Sequence, residues 1–338
     1  MNGLIRSLIP LFTVLLIASC GGGGGGDDND SSNGTNGQDI QTTVVDVFDG
    51  AAIGCTVTEE ESSAVETGAG VPGQYIFSRA LDTGVIVTAS NCTDADTAAK
   101  LPTMSGVAQA DGVVISPITT LIVAEALNLE SGERATASRA AQRITTTRLS
   151  QAISRILANL ELEDYDPVNP VTANYVAAAK ADDVGTSVAT RAMRAGLAIA
   201  TLLKGVEIAA GTDAPAAFSA IAGAIAEASA PVDFSETSGV ENTMSVAAAI
   251  DTSVASAINT ATTAIVYSVS TIGSSTGAIT NSIALATAAA SVLNGATIET
   301  IGQAELISNL TSAVNAALPS CMVGSSTVGG CTIPSSPS

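Results

Sequence analysis

Histidine and tryptophan are absent from this 338-residue chain, aromatic residues make up 3% of it, and only 12 Lys and Arg oppose 32 Asp and Glu. Each shortage excludes something. Without His there is no Ser-His-Asp or Cys-His nucleophile and no common zinc ligand set. A formal net charge of −20 leaves no broad basic patch for phosphates, so nucleic acid is not an expected partner. Carboxylates for glycoside hydrolysis are plentiful, but five Phe and four Tyr offer few stacking surfaces for a sugar. Past the N-terminus no uncharged apolar run reaches the ~18 residues that mark a membrane span, so no second span is expected. What is present speaks for a folded chain: 46% hydrophobic and 13% charged residues exclude a disordered polyelectrolyte. At about 150 residues per domain, the length suits one large domain or two modest ones.

Arg6 precedes an apolar stretch from Leu8 through Ile17, followed by Ala18, Ser19 and Cys20. A short basic start, an apolar centre and small residues before a cleavage point form the layout of a secretory signal. The run is too short to span a bilayer, which takes ~20 apolar residues. Ile17-Ala18-Ser19-Cys20 resembles the lipobox of bacterial lipoproteins. The resemblance implies removal of residues 1–19, a thioether-linked diacylglycerol on Cys20, and acylation of the new amine with palmitate-type chains. Gly21, rather than Asp, follows Cys20, which resembles the outer-membrane sorting pattern. Each buried methylene contributes ~0.8 kcal/mol, so two or three acyl chains hold a protein on a bilayer.

Residues 20–42 follow as a tether: six glycines, Asp27-Asp28-Asn29-Asp30, then Ser, Asn, Gly and Thr. Such a segment has almost nothing apolar to bury, and its glycines maximise backbone entropy. About 22 flexible residues span ~25 Å root-mean-square. A globule held off a membrane has use for that. Asp28, Asp30, Ser32 and Asp39 share the spacing of a calcium loop, but the sixth and twelfth places hold Asn33 and Asp39 instead of Gly and Glu. No metal site is assigned there.

Four cysteines remain beside Cys20, an even number suited to an oxidising compartment. Cys321 and Cys331 flank a Gly/Ser-rich stretch that closes on itself easily, so residues 320–338 read as a disulfide-closed tail. Cys55 and Cys92 then pair by elimination, and no thiol is left for catalysis or metal.

From Thr43 the texture changes to short runs rich in Val, Ile, Tyr and Phe: 43–48, 51–58, 74–79, 84–90, 104–108 and 112–115. Gly, Pro, Asn and Asp separate them, as at the Asp49-Gly50 turn, which predicts a small antiparallel β-sandwich over residues 43–115. Asp49 through Val57, Gly73 through Phe77 and Val85 through Thr88 resemble a carboxypeptidase regulatory-like, or transthyretin-like, β-sandwich. Many such modules carry an Asp/Asn-rich, calcium-competent loop after the second strand. Here that loop reads Thr58-Glu59-Glu60-Glu61-Ser62-Ser63 and departs from the pattern. Leu101 through Ala108 and Val114 through Leu121 resemble the strand-to-helix junction of uncharacterised envelope and adhesin-like lipoproteins.

Residues 116–319 predict an all-α helical bundle. Ser116-Pro117 is a cap followed by Pro in the first turn, and Asn169-Pro170 repeats the device. Apolar stripes at helical spacing run over Ile118–Ala126, Leu149–Leu160, Val188–Val206, Phe218–Ile225, Val254–Ile272, Ile279–Leu293 and Leu306–Ala317. Asn294-Gly295 marks a helix end. The other helix faces are mainly Ala, Ser and Thr, which either let helices pack closely or offer a weakly charged face to a partner. After Lys204 no basic residue occurs.

Seven of the nine Arg lie between Arg134 and Arg194. They suggest pairing with acids such as Glu161, Glu163, Asp164, Asp182 and Asp183 more than an anion site. Glu161, Glu163, Asp164 and Asp166 read as a solvated turn rather than a cation site. No catalytic residue, cofactor or metal is assigned. The expectation is an α+β, non-enzymatic envelope lipoprotein of the outer membrane, bound to the bilayer through acylated Cys20, with a structural, adhesive or interaction role. A periplasm-facing ligand-binding or assembly-accessory protein is the alternative; a pocket lined by convergent Arg or acid residues in the helical domain would favour it.

Overall fold

A computed structural model describes residues 42–60, 62–66, 71–131, 143–163, 172, 174–182, 187–234 and 236–273, with isolated helical positions between 283 and 312. Residues 1–41 and 320–338 lie outside that set, and with them Cys20, the tether, the calcium-like spacing, Cys321 and Cys331. The chain divides into Met1–Asp39 and Ile40–Ser338, and every described residue belongs to the second unit. The fold is mixed α+β, as expected from the sequence.

Among the described residues nine strands come first: β1 (Thr43–Val47), β2 (Ala52–Ile53), β3 (Thr56–Thr58), β4 (Val65–Glu66), β5 (Gln74–Phe77), β6 (Ile86–Ser90), β7 (Thr93–Asp94), β8 (Met104–Val107) and β9 (Val113–Ile115). They form a sheet ordered β4-β5-β1-β9, a sheet ordered β3-β6-β8 and a short β2-β7 ladder. Alternation sets the inward faces: Thr43, Val45 and Val47 of β1 are buried opposite Phe77 and Tyr75 of β5. The strand pairs are antiparallel except β1 with β9, which run parallel. That departs from an all-antiparallel expectation. Some 65 residues separate β1 from β9, ample for the crossover that a parallel neighbour requires. One apolar cluster draws Val45, Val47, Tyr75 and Phe77 from the first sheet and Val57, Val87, Ala89 and Met104 from the second. Within it the Tyr75 hydroxyl accepts from the Cys55 N–H at 2.9 Å and donates to the Ala52 carbonyl at 3.1 Å. Cys55 and Cys92 are disulfide-bonded, the pairing reached by elimination.

Among the described residues these helices follow: α1 (Pro117–Ser131), α2 (Thr146–Asn159), α3 (Tyr175–Lys180), α4 (Val188–Ala210), α5 (Ala214–Ala226), α6 (Thr237–Ile250) and α7 (Ala255–Gly273). Helix α1 starts where Ser116-Pro117 places it. The Ser116 hydroxyl accepts from the Thr119 N–H at 3.2 Å, and the Ser116 N–H donates to Thr119 Oγ1 at 2.7 Å. The same turn closes the open edge of β8: Ser105 N–H donates to Thr120 Oγ1 at 3.0 Å, and Thr119 Oγ1 donates to the Ser105 carbonyl at 2.9 Å. A buried strand edge would otherwise hold orphan polar groups. Two Thr side chains on one helix turn thus join helix to sheet.

The larger core runs across that joint. Phe48, Ile86, Val107 and Val114 of the strand region cluster with Ile118, Leu121, Tyr175, Leu197, Phe218 and Ile258 of the helices. Glu125 of α1, almost fully buried, pairs with Arg155 of α2. Asn128 of α1 donates to the Ser219 carbonyl of α5 at 3.0 Å, and Asn159 of α2 donates to the Ile225 carbonyl at 2.8 Å. Among the described residues the helical stretch Val188–Ala226 is long and apolar enough to cross a membrane, with a mean hydropathy of 1.3 in its most apolar window. Half of that window is buried inside the fold, and a 3-10 turn at Gly211–Asp213 interrupts the stretch. Core packing therefore accounts for its hydropathy.

Candidate functional site

The Asp49-Gly50 pair that ends β1 does more than turn the chain. Phe48 is anchored by its N–H on the Ile115 carbonyl at 2.9 Å and by an edge-on contact with Tyr175, ring centres 5.0 Å apart. Asp49 is thereby carried into the interior, 3% exposed, and its Oδ1 has no hydrogen-bond partner among the described residues. Gly196 of α4 makes room for it. A Cβ there would stand 3.4 Å from Asp49 Oδ1 and 2.8 Å from the Tyr175 hydroxyl.

Asp94 of β7 supplies a second buried carboxylate, 1% exposed. Its Oδ1 accepts the N–H groups of Asp96 at 2.7 Å and Thr97 at 2.9 Å, an Asp-headed turn that the left-handed Ala98 completes. Gly50 lies against the Asp94 and Asp96 carboxylates, so closely that a Cβ would come within 2.5 Å of Asp94 Oδ2. Burial, and then the charge of Asp94, hold the Asp49 carboxyl well above the usual carboxylate range. Asp94 is raised too, by burial, although the Thr97 and Asp96 N–H groups oppose the shift.

Both acids line an open cavity of ≈ 30 Å³. That space has room for about two waters. Its walls are Leu101 and Pro102 of the β7–β8 loop, the Leu197, Ala200 and Thr201 face of α4, and the helical positions Ala286, Ala290 and Leu293. The residues 197, 200, 201 and 204 recur at helical spacing, which presents them on one face. Lys100, exposed, and Lys204, half-buried, also line it. Lys100 donates to Thr93 Oγ1 at 2.8 Å, and Lys204 pairs with Glu207 at 2.7 Å. Glu207 also accepts from the Thr103 N–H and hydroxyl, which pins the β7–β8 loop to α4. No family model, curated protein or solved structure matches this chain.

The other residues singled out in the sequence fall elsewhere. Glu59 of the acidic loop after β3 is held by Arg79 and by the Ser62 hydroxyl at 2.7 Å, which leaves its carboxylate engaged within the protein. Arg143 pairs with Asp82 and Arg155 with Glu125, partners far along the chain rather than the nearby acids expected. Arg194 feels the charge of Asp182, one of the expected partners. Glu161 and Glu163 are exposed, while Arg134, Arg139, Asp164, Asp166 and Asp183 lie outside the described residues. Among the described residues no three Asp, Glu or Cys side chains converge as a metal ligand set. Asp49 and Asp94 themselves escaped sequence reasoning. Their only signals are an Asp before a turn glycine and an Asp three residues before a Thr, both ordinary in loops.

Proposed function

We propose that the chain is a bacterial envelope lipoprotein, fastened to the outer membrane through acylated Cys20 and displaying a non-enzymatic folded unit for structural or interaction work. The observation that carries this reading is the order of segments: a lipobox-like Ile17-Ala18-Ser19-Cys20, a Gly/Asp-rich tether, and a compact unit beginning at Ile40. The Cys55–Cys92 disulfide fits the oxidising compartment such a route leads to. In the strand region, two sheets that contribute side chains to one apolar cluster support the carboxypeptidase regulatory-like sandwich. The helices, with buried Ala at many contacts, support a close-packed bundle. Membrane fractionation combined with protease treatment of intact cells tests the proposal. The native chain sediments with membranes in a detergent-releasable form, and Cys20→Ser is not acylated. Membrane-bound native chain without lipid contradicts it. Release of the folded unit by protease indicates surface display, and protection indicates the periplasmic face.

A second reading, ligand binding, is supported by one specific observation: Asp49, Asp94, Lys100 and Lys204 line one cavity, although the acids come from the strand region rather than from the helices. A flat helical face would have pointed to adhesion alone.

A further inference from the structure

We infer that the joint between the strand region and helices α3 and α4 is a pH-sensitive latch, closed while the Asp49 carboxyl is neutral and opened locally, α3 first, when that carboxyl ionises. The inference stands apart from both the anchor at Cys20 and the ligand-binding reading. Two observations place the trigger. Asp49 is buried, and its Oδ1 lies against Gly196 of α4 and near the Tyr175 hydroxyl of α3, without a donor among the described residues. Asp94 stands by as a second buried carboxylate whose charge acts on it. A buried charge without a donor is among the costliest groups a fold can hold, so an ionised Asp49 favours any arrangement that brings water to it.

Helix α3 is the element that yields. At six residues it is too short to persist without its packing. It is tied to the strand region by the edge-on contact of Tyr175 with Phe48, the residue before Asp49, and by the Lys180–Asp96 ion pair at 2.6 Å. These ties flank the two acids, so a movement of Asp49 towards water disturbs them before it reaches the helices packed behind. The titratable groups on the elements around Asp49 are Asp94 and Asp96 at β7, Lys100, Tyr175 and Lys180 of α3, and Arg194 and Lys204 of α4. The cations among them are engaged: Lys180 by Asp96, Lys204 by Glu207 and Lys100 by Thr93 Oγ1, while Arg194 feels the charge of Asp182. Burial and the Asp94 charge hold the Asp49 carboxyl above the usual carboxylate range, so opening proceeds as pH climbs out of that range and not as it falls.

Hydrogen exchange read by mass spectrometry, on the full chain in detergent and corrected for intrinsic exchange rates, tests this between about pH 5 and pH 9, the span in which a buried carboxyl titrates. The protection of α3 falls about tenfold per pH unit, one proton being lost on opening, and levels off above the value Asp49 takes in the closed joint. At each pH α3 exchanges before α5, a helix buried on nearly every face, which separates local opening from global unfolding. Asp49→Asn, which cannot ionise, holds the protection of α3 constant across the range. Asp94→Asn keeps an acceptor for the Asp96 and Thr97 N–H groups but removes the neighbouring charge, so the fall ends at a lower pH. Protection of α3 that does not change with pH, exchange of α3 only together with α5, or a pH dependence that survives in a folded Asp49→Asn variant overturns the inference. If Asp49→Asn does not fold, an end point unmoved in Asp94→Asn overturns it instead.

Discussion

Phe48→Ala is the substitution that most sharply probes how strands and helices depend on each other. Phe48 closes β1, is 1% exposed, and belongs to the cluster that includes Tyr175, Leu197 and Phe218 of the helices. Truncating a buried Phe costs ~3–5 kcal/mol, the lost burial plus the cavity left behind. Of this, ~0.5–1.5 kcal/mol belongs to the edge-on contact with Tyr175, a term that Tyr175→Leu in a double-mutant cycle isolates. For a folded unit of this size each kcal/mol moves the midpoint a few degrees, so thermal unfolding shifts down by roughly 10 °C. The assay is urea unfolding followed by far-UV circular dichroism, which reports the helices, and by tyrosine fluorescence, which includes Tyr75 in the strand region. The chain has no Trp, so tyrosine emission is readable. Both probes move together by the same amount. If the helical transition stays where it is, or the loss is below ~1 kcal/mol, the shared core is refuted.

Four further outcomes rest on other parts of the fold. Removing the Cys55–Cys92 bond, sequence separation 37, by a double Ser substitution lowers stability by about 4 kcal/mol in the chain-entropy picture, readable as a urea midpoint shift. Asp49, raised in the folded state, contributes stability that is complete below its unfolded value near 3.8 and is lost as pH rises through its folded value. The native chain is therefore destabilised as pH climbs above the usual carboxylate range, and Asp49→Asn flattens that part of the stability–pH curve. An unchanged curve in the variant contradicts this. Gly106→Ala puts a Cβ 2.1 Å from the Val114 carbonyl oxygen, where β8 and β9 meet, and backbone has little room to yield. Overpacking of this kind costs ~1–3 kcal/mol or more. In Gly54→Ala, which has open space at φ +64°, only the left-handed backbone opposes the change, at about 1 kcal/mol.

Local signals in this chain translate well into local structure. The run at 43–48 became β1, Ser116-Pro117 opened α1, and the stripe from Val188 to Val206 became α4, because each rests on neighbours within one turn or one pleat. Helix α6 went unread: its inward residues are Val240, Thr243, Met244, Ala247 and Ala248, and Gly239 with small side chains blurs the apolar period. Strands β4 and β7 are two residues each and carry no period at all. The run at 51–58 divides into β2 and β3 because Gly54 takes a left-handed conformation. The cavity was illegible for a different reason. Asp49, Asp94 and the α4 face lie far apart along the chain, and only the tertiary fold brings them together. Nothing in the local sequence of Asp49-Gly50 distinguishes a carboxyl that will be buried from one that ends a surface turn.

The mass of the N-terminal fragment of the mature chain tests the anchor at Cys20 most directly. Proteolysis within the tether followed by mass spectrometry should return a fragment that begins at Cys20 and carries a diacylglyceryl group with a further acyl chain on its amine. A fragment that begins anywhere else, or a Cys20 with a free thiol, contradicts the account.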